Sequence, residues 1–196
     1  MLIFLFIIAT LFVIIIIFSF PQLSPIPYFP TNKKDLPLII KALNLKNNQL
    51  IFDLGAGDGR VIFNAAKAAY QKKLNTQFIA IDINIILILI MYLRRLFHQN
   101  KKNIKIIWGD LFKIDYQSLL HTPYPTLYTF YLYVSPWFLE KIIENCLPAG
   151  KAGKLKIENF TVVSYYYPVV GLKKFEKKLQ GANAVFRYRF QSPEAP

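Results

Sequence analysis

The stretch Gln49–Phe63, QLIFDLGAGDGRVIF, sets three glycines and two aspartates between two apolar runs. A strand that passes into a helix through Asp53-Leu54-Gly55-Ala56-Gly57-Asp58-Gly59 commits the chain to a strand–loop–helix unit. Its helix N-terminus lies at the carboxyl edge of a parallel sheet, where ligands of open α/β sheets bind. Glycines remove Cβ atoms, so a ligand can lie against the peptide itself, and they allow φ values that other residues resist.

The rest of the chain follows the same rhythm. Apolar patterning predicts a helix over 33–44, with Thr31 as its cap and Leu36, Ile39, Ile40 and Leu43 at helical spacing. It then predicts strand 49–54, helix 59–70, strand 77–82, helix 84–98 capped by Asn84, strand 104–108, strand 126–134 and helix 136–146. Alternation of this kind predicts a mostly parallel sheet with helices on both faces. TVVSYYY and NAVFRYRF read as strands on either side of a short basic segment holding Gly171 and Gly181, closing the sheet as an antiparallel hairpin. AGKAGK, residues 149–154, reads as a surface loop. The helix INIILILIMYLRRLF is apolar on nearly every side, as expected of one packed between the sheet and a neighbour, with a membrane-facing side as the alternative.

Before this domain the first twenty residues carry no charge. A helix over residues 2–20 is about 28 Å long, near the ~30 Å hydrocarbon thickness. A cleaved signal peptide would want a basic start, a shorter apolar run and an A-x-A site, so residues 1–20 read as a retained transmembrane anchor. Residues 21–32, with prolines at 21, 25, 27 and 30, read as a semi-rigid linker, and residues 33–196 as one domain. Lys33, Lys34, Lys41 and Lys46 follow the apolar run, which predicts a single-pass membrane protein with its domain on the cytoplasmic side. With 24 Lys and Arg against 11 Asp and Glu, the net charge of +13 favours an anionic neighbour such as lipid head groups or nucleic acid. The single cysteine, Cys146, excludes an intrachain disulfide and a cysteine-based zinc site, and no other metal site is expected.

The loop also constrains its ligand. G-x-G-x-x-G would need glycine where Arg60 stands, and the G-K-[ST] ending of a P-loop is absent. Asp53 and Asp58 would repel a pyrophosphate at short range by energies on the kcal/mol scale. S-adenosyl-L-methionine, with an ammonium, a sulfonium and no phosphate, suits them better. Asp53 would meet its amino-acid end, Asp82 at the end of FIAIDIN both ribose hydroxyls, and Asp110 in IIWGDLF the adenine amine.

On these residues the chain resembles the class I methyltransferases. More narrowly it resembles the small membrane-anchored protein-lysine methyltransferases of the adenine nucleotide translocase and ATP synthase c-subunit type and their prokaryotic relatives. The resemblance covers roughly residues 27–172 and is carried by PYFPT (27–31), DLGAGDGRVIFNAAK (53–67), AIDIN (80–84), GDLF (109–112) and VVSYYYPVVGL (162–172). It implies a Rossmann-like sheet of seven strands with the last antiparallel, and Tyr28, Pro30 and Thr31 folded over the cofactor. The implied cofactor set is completed by Asp53, Gly55, Ala56, Gly57, Asp58, Gly59, Asp82, Ile83, Asp110 and Leu111. Tyr165 follows Ser164 where the family often has histidine, and KAGKLKIEN lengthens the turn after LPAG.

A sulfonium methyl is already activated, so alignment and exclusion of water are the main demands and no dedicated base is obligatory. Tyr133, Ser135 and Trp137 are the expected wall of an acceptor channel. The reading is an N-methyltransferase acting on an accessible lysine of a membrane-associated protein. SPWF (135–138) faintly resembles the [DNS]-P-P-[YF] motif of enzymes that methylate exocyclic or amide nitrogens, so RNA remains one alternative substrate and a non-catalytic cofactor binder another.

Overall fold

The computed structural model describes residues 1–19, 28–120, 127–146 and 160–190, without the side chains of 16–19 and 117. Residues 21–27 of the expected 21–32 linker and the 149–154 loop lie outside the described residues.

Seven strands form one sheet: β1 (Gln49–Leu54), β2 (Thr76–Asp82), β3 (Ile104–Trp108), β4 (Leu127–Leu132), β5 (Phe160–Tyr165), β6 (Glu176–Gln180) and β7 (Ala184–Phe190). Their order is β3-β2-β1-β4-β5-β7-β6. β1 to β5 pair in parallel, and β7 is antiparallel to both β5 and β6. TVVSYYY and NAVFRYRF do pair antiparallel as expected, β5 with β7, but a further strand lies between them in sequence, so they are not a simple hairpin. The basic segment between them contains β6, whose two internal lysines are exposed, so its sequence lacks the apolar alternation of a half-buried strand. It pairs as an edge strand, where lysines are at home.

Helices α2 (Leu36–Leu43), α3 (Arg60–Gln71) and α4 (Ile85–Leu96) follow or precede these strands, with α5 (Tyr116–Leu120) and α6 (Pro136–Cys146) later in the chain. Because side chains alternate along a strand, the sheet has two cores. Ile51, Phe78, Tyr131 and Val163 pack with Ile39, Val61 and Met91 on one face, while Phe52, Ile79, Phe130 and Leu132 pack with Tyr116, Leu139 and Ile142 on the other. Strand order reverses beside β1, and the crevice opens there, at the carboxyl ends of β1, β2 and β4.

The helix expected over 33–44 begins as a 3-10 turn, Lys33–Asp35, capped by the Asn32 side chain rather than by Thr31. Asp35 is buried and knits this turn to the far edge of the sheet. It accepts hydrogen bonds from the Tyr165 hydroxyl (2.7 Å), Ala182 N (2.7 Å), Asn183 N (3.0 Å) and Asn183 Nδ2 (3.1 Å). Burial alone would raise its pKa, but these donors outweigh burial and hold the carboxyl below its ordinary value. Tyr165, in the place where the resembled family often has histidine, is thus a buried structural strap.

The first helix, α1, runs Leu2–Ser19. Among the described residues no helix is long and apolar enough to cross a membrane. The described side chains of α1 end at Ile15, about 21 Å along the helix, so the expected anchor over 1–20 extends beyond them.

Candidate functional site

The crevice is built around the turn from β1 into α3. Gly55 N and Ala56 N donate to Ile81 O (3.0 and 2.9 Å), and Gly57 N donates to Asp82 Oδ2 at 2.7 Å, so the loop is pinned onto the end of β2. Gly57 has φ +59°, and a Cβ there would lie 2.6 Å from the Tyr28 ring. Gly59 has φ +74°, and its Cβ would meet Phe63 at 2.6 Å. These positions need glycine for both conformation and space.

Asp82 is buried at the bottom of the crevice. Its Oδ1 accepts Asn84 N at 2.8 Å while Oδ2 holds Gly57 N, which leaves each oxygen a further lone pair. Burial raises its pKa against the pull of those N–H groups. Asn84 in turn caps α4, accepting from Ile86 N and Leu87 N as expected.

Asp53 is only 3% exposed. Burial first, then the charges of Asp82 and Asp58, push its carboxyl up to about 8. At neutral pH it is mostly protonated. Directly across the strand pair is Tyr131, whose hydroxyl is the one buried side-chain polar atom without a hydrogen-bond partner among the described residues, although Thr31 lies beside it. Burial holds that phenol far above its ordinary value.

Asp58 behaves differently from the sequence expectation of a bare carboxylate. Its Oδ2 lies 3.1 Å from Arg94 and 3.4 Å from Arg60, and its Oδ1 accepts Arg60 N at 3.1 Å. With Asp53 neutral and Asp58 ion-paired, the expectation of two full charges rejecting a pyrophosphate is corrected: much of that charge is absent or matched. Arg60 also donates to Thr31 O at 3.0 Å, tying the PYFPT segment over the loop. Tyr28 lies on Gly57, and burial, with the Asp58 charge next, raises its pKa.

Asp110 accepts Phe112 N at 2.9 Å and has Lys113 Nζ at 3.8 Å. The crevice is open on one side and holds about 770 Å³ of space outside protein atoms, part of it open solvent. Tyr28, Thr31, Asp53, Gly55, Ala56, Gly57, Asp58, Asp82, Ile83, Asp110, Leu111 and Tyr133 all line it. Pro30 and Gly59 do not; Gly59 instead lets the loop pass Phe63 and Met91. Ser135 and Trp137 also lie outside its wall, and Trp137 is 85% exposed at the start of α6.

Phe29, Arg60, Val61, Leu87, Phe112 and Val134 line the crevice without having been expected there, and Tyr131, one of the aromatic residues of the expected strand 126–134, lines it too. For Tyr131 a signal existed: counting by twos back from Tyr133 along β4 reaches it on the same face. For Arg60 there was none, because its contact with Thr31 joins residues 29 positions apart.

No family model matches the chain. A protein-lysine N-methyltransferase of Saccharolobus islandicus (strain REY15A) is 38% identical over 48 residues, which is 24% of this chain and 30% of that relative. The chain thus matches less than a third of the relative's length. Among solved structures, an RNA methyltransferase from Salinibacter ruber in complex with S-adenosyl-L-homocysteine matches with a TM-score of 0.60 at 21% identity, over 85% of this chain and 98% of that one. A precorrin-6y C5,15-methyltransferase from Geobacter metallireducens matches at 0.55 and 16%, over 84% and 94%. M. capricolum TrmK, in complex with S-adenosyl-homocysteine, matches at 0.53 and 15%, over 83% and 69%. The chain has the Rossmann-like fold of the class I methyltransferases.

Proposed function

We propose that this protein is an S-adenosyl-L-methionine-dependent N-methyltransferase that modifies lysine in a membrane-associated protein. The observation that carries the reading is the donor set of the crevice. Asp82 is held rigid by two backbone N–H groups with a lone pair left on each oxygen for a vicinal diol. Asp53 and the unpartnered Tyr131 hydroxyl supply a buried polar end that a cationic amino-acid tail would complete. Asp110 and the Leu111 backbone offer an acceptor and donor edge for a planar base. Tyr28 and Thr31, strapped down by Arg60, would cover the ligand.

When bound, the cofactor supplies an electrophilic methyl on a sulfonium. The protein's part is to align the acceptor and keep water away. A lysine must shed its proton first, which costs about 4.6 kcal/mol at pH 7 from a reference value near 10.4. An apolar approach lowers that cost by disfavouring the ammonium, and Phe29, Phe112, Tyr133 and Val134 form such a wall. Lysine is favoured over other acceptors by the 48-residue match to a lysine methyltransferase. The uncharged run from Leu2 to Phe20 supports a single-pass anchor with the domain on the cytoplasmic side and anionic lipid as its neighbour. The +13 charge would also suit RNA.

The test is to incubate the detergent-solubilised protein with methyl-labelled cofactor and the membrane and soluble fractions of its host. Label on lysine of a membrane protein is expected. Label in RNA overturns the substrate, and cofactor binding with no label anywhere overturns the activity.

A further inference from the structure

We propose that the outward face of α4 beds into the surface of an anionic lipid bilayer and turns the crevice towards it. The claim rests on the anchored reading above. α4 has two apolar faces. Leu87, Ile88 and Met91 are buried against the sheet, as an amphipathic helix requires. Ile85, Leu89, Tyr92, Leu93 and Leu96 form a second stripe at helical spacing, and each is 44–62% exposed. Four of these five line one shallow depression together with Arg95 and Lys101. Beyond its two ends stand Phe97, 88% exposed, and Trp108, 65% exposed, whose indole N–H is fixed to Ile83 O at 2.8 Å. Isolated exposed apolar residues are ordinary; a continuous stripe marks a contact surface.

Charge selects the occupant. Between Ile83 and Gly109 the sequence holds five basic residues and no acidic one. Arg94 is occupied with Asp58, while Arg95 and Lys101 line the depression itself and Lys102 and Lys105 line a second one that shares Tyr92 and Arg95 with it. An aliphatic band with aromatic residues at its ends and cations alongside is the chemistry of a helix lying in a lipid interface, its side chains reaching both acyl chains and phosphates. Tether length fits as well. The side chains of Leu2–Ile8 and Leu11–Ile15 are exposed apolar groups that need an apolar phase, and only nine residue steps separate Ser19 from Tyr28. Fully extended, nine steps reach about 32 Å, so the cover of the crevice cannot travel far from an embedded α1. Because α4 starts at the Asp82 end of the crevice and contributes Leu87 to its wall, docking this face brings the opening near the bilayer. A lysine close to the membrane surface would then be the acceptor within reach.

The chain has two tryptophans, so Trp137→Phe leaves Trp108 as a single reporter on the proposed face. The full-length protein would be reconstituted into phosphatidylcholine vesicles containing phosphatidylserine, with and without acyl-brominated lipid, and floated to confirm association. Trp108 emission should fall at least twofold in brominated vesicles, and Leu89→Glu with Leu93→Glu should abolish the quenching while flotation through α1 persists. Vesicle-bound protein with unquenched Trp108, or quenching that survives both glutamates, overturns the docking surface alone. Failure to float overturns both the docking and the anchor. Neither result bears on cofactor binding, which is read separately by titration.

Discussion

Replacing Asp53 by Asn should stabilise the unliganded protein, and by an amount that depends on pH in a defined way. In the unfolded chain the carboxyl ionises near its ordinary 3.8; in the folded crevice it does so at about 8. Between those values the folded state binds the proton and the unfolded state does not, so stability falls as pH rises. At 1.36 kcal/mol per unit the loss accumulates to about 4 kcal/mol by pH 7. Asn keeps the shape without the titration. Wild type and Asp53→Asn should therefore match near pH 4 and diverge steadily to pH 8, with the variant melting roughly 10 °C higher at pH 7. Denaturation in detergent across pH 4–8.5 measures this. Cofactor binding should move the other way. A cationic tail favours ionised Asp53, so affinity should strengthen up to tenfold per unit between pH 6 and 8 with release of a proton, and the variant should bind weakly and without that slope. Equal stability of the two proteins at pH 8 would refute the claim that burial keeps this carboxyl neutral.

Asp35→Ala should cost roughly 3 kcal/mol or more, because it strands the Tyr165 hydroxyl and the Ala182 and Asn183 N–H groups that converge on the carboxylate. Its folded pKa is depressed, so this contribution is present above about pH 4 and is lost as pH falls through the folded value; chemical denaturation at pH 7 and pH 3 should show the gap between the proteins closing. Gly57→Val forces a branched residue into a positive-φ position against the Tyr28 ring, and titration should show cofactor affinity falling at least 100-fold with a retained circular dichroism spectrum; unchanged affinity would count against the crevice as the cofactor seat.

The parallel core of the sheet was readable because β1, β2 and β3 are short apolar runs bounded by turn residues and capped helices, and local chemistry fixes all of these. β6 was not, since an exposed edge strand with Lys177 and Lys178 carries the pattern of a solvated loop and is specified only by its pairing with β7. The same division runs through the crevice. Gly55, Gly57 and Asp82 announce themselves by residue type at a strand end. Tyr131 follows from its place on β4, whereas Arg60 reaches the crevice through a contact with a distant segment, and Ser135 and Trp137, two and four positions after Tyr133, fall outside because the chain turns into α6 just there.

Electrostatics in the crevice argues for a cation even though the simple picture of two bare carboxylates does not hold. Two nearby guanidinium groups would suit a phosphate if free, but each is already committed. Arg94 binds the Asp58 carboxylate and its carbonyl oxygen (2.8 Å), and Arg60 binds Asp58 and Thr31 O. A phosphate entering here would have to break those contacts and face Asp82 besides. A cation meets the opposite situation: Asp53 holds a proton that it can surrender, and the negative charge then appears only where and when a positive group arrives to match it. The unliganded fold avoids a buried unpaired anion, at the expense of affinity at low pH. The preference for a cation thus draws both on the committed guanidinium groups and Asp82 and on a proton that Asp53 can release.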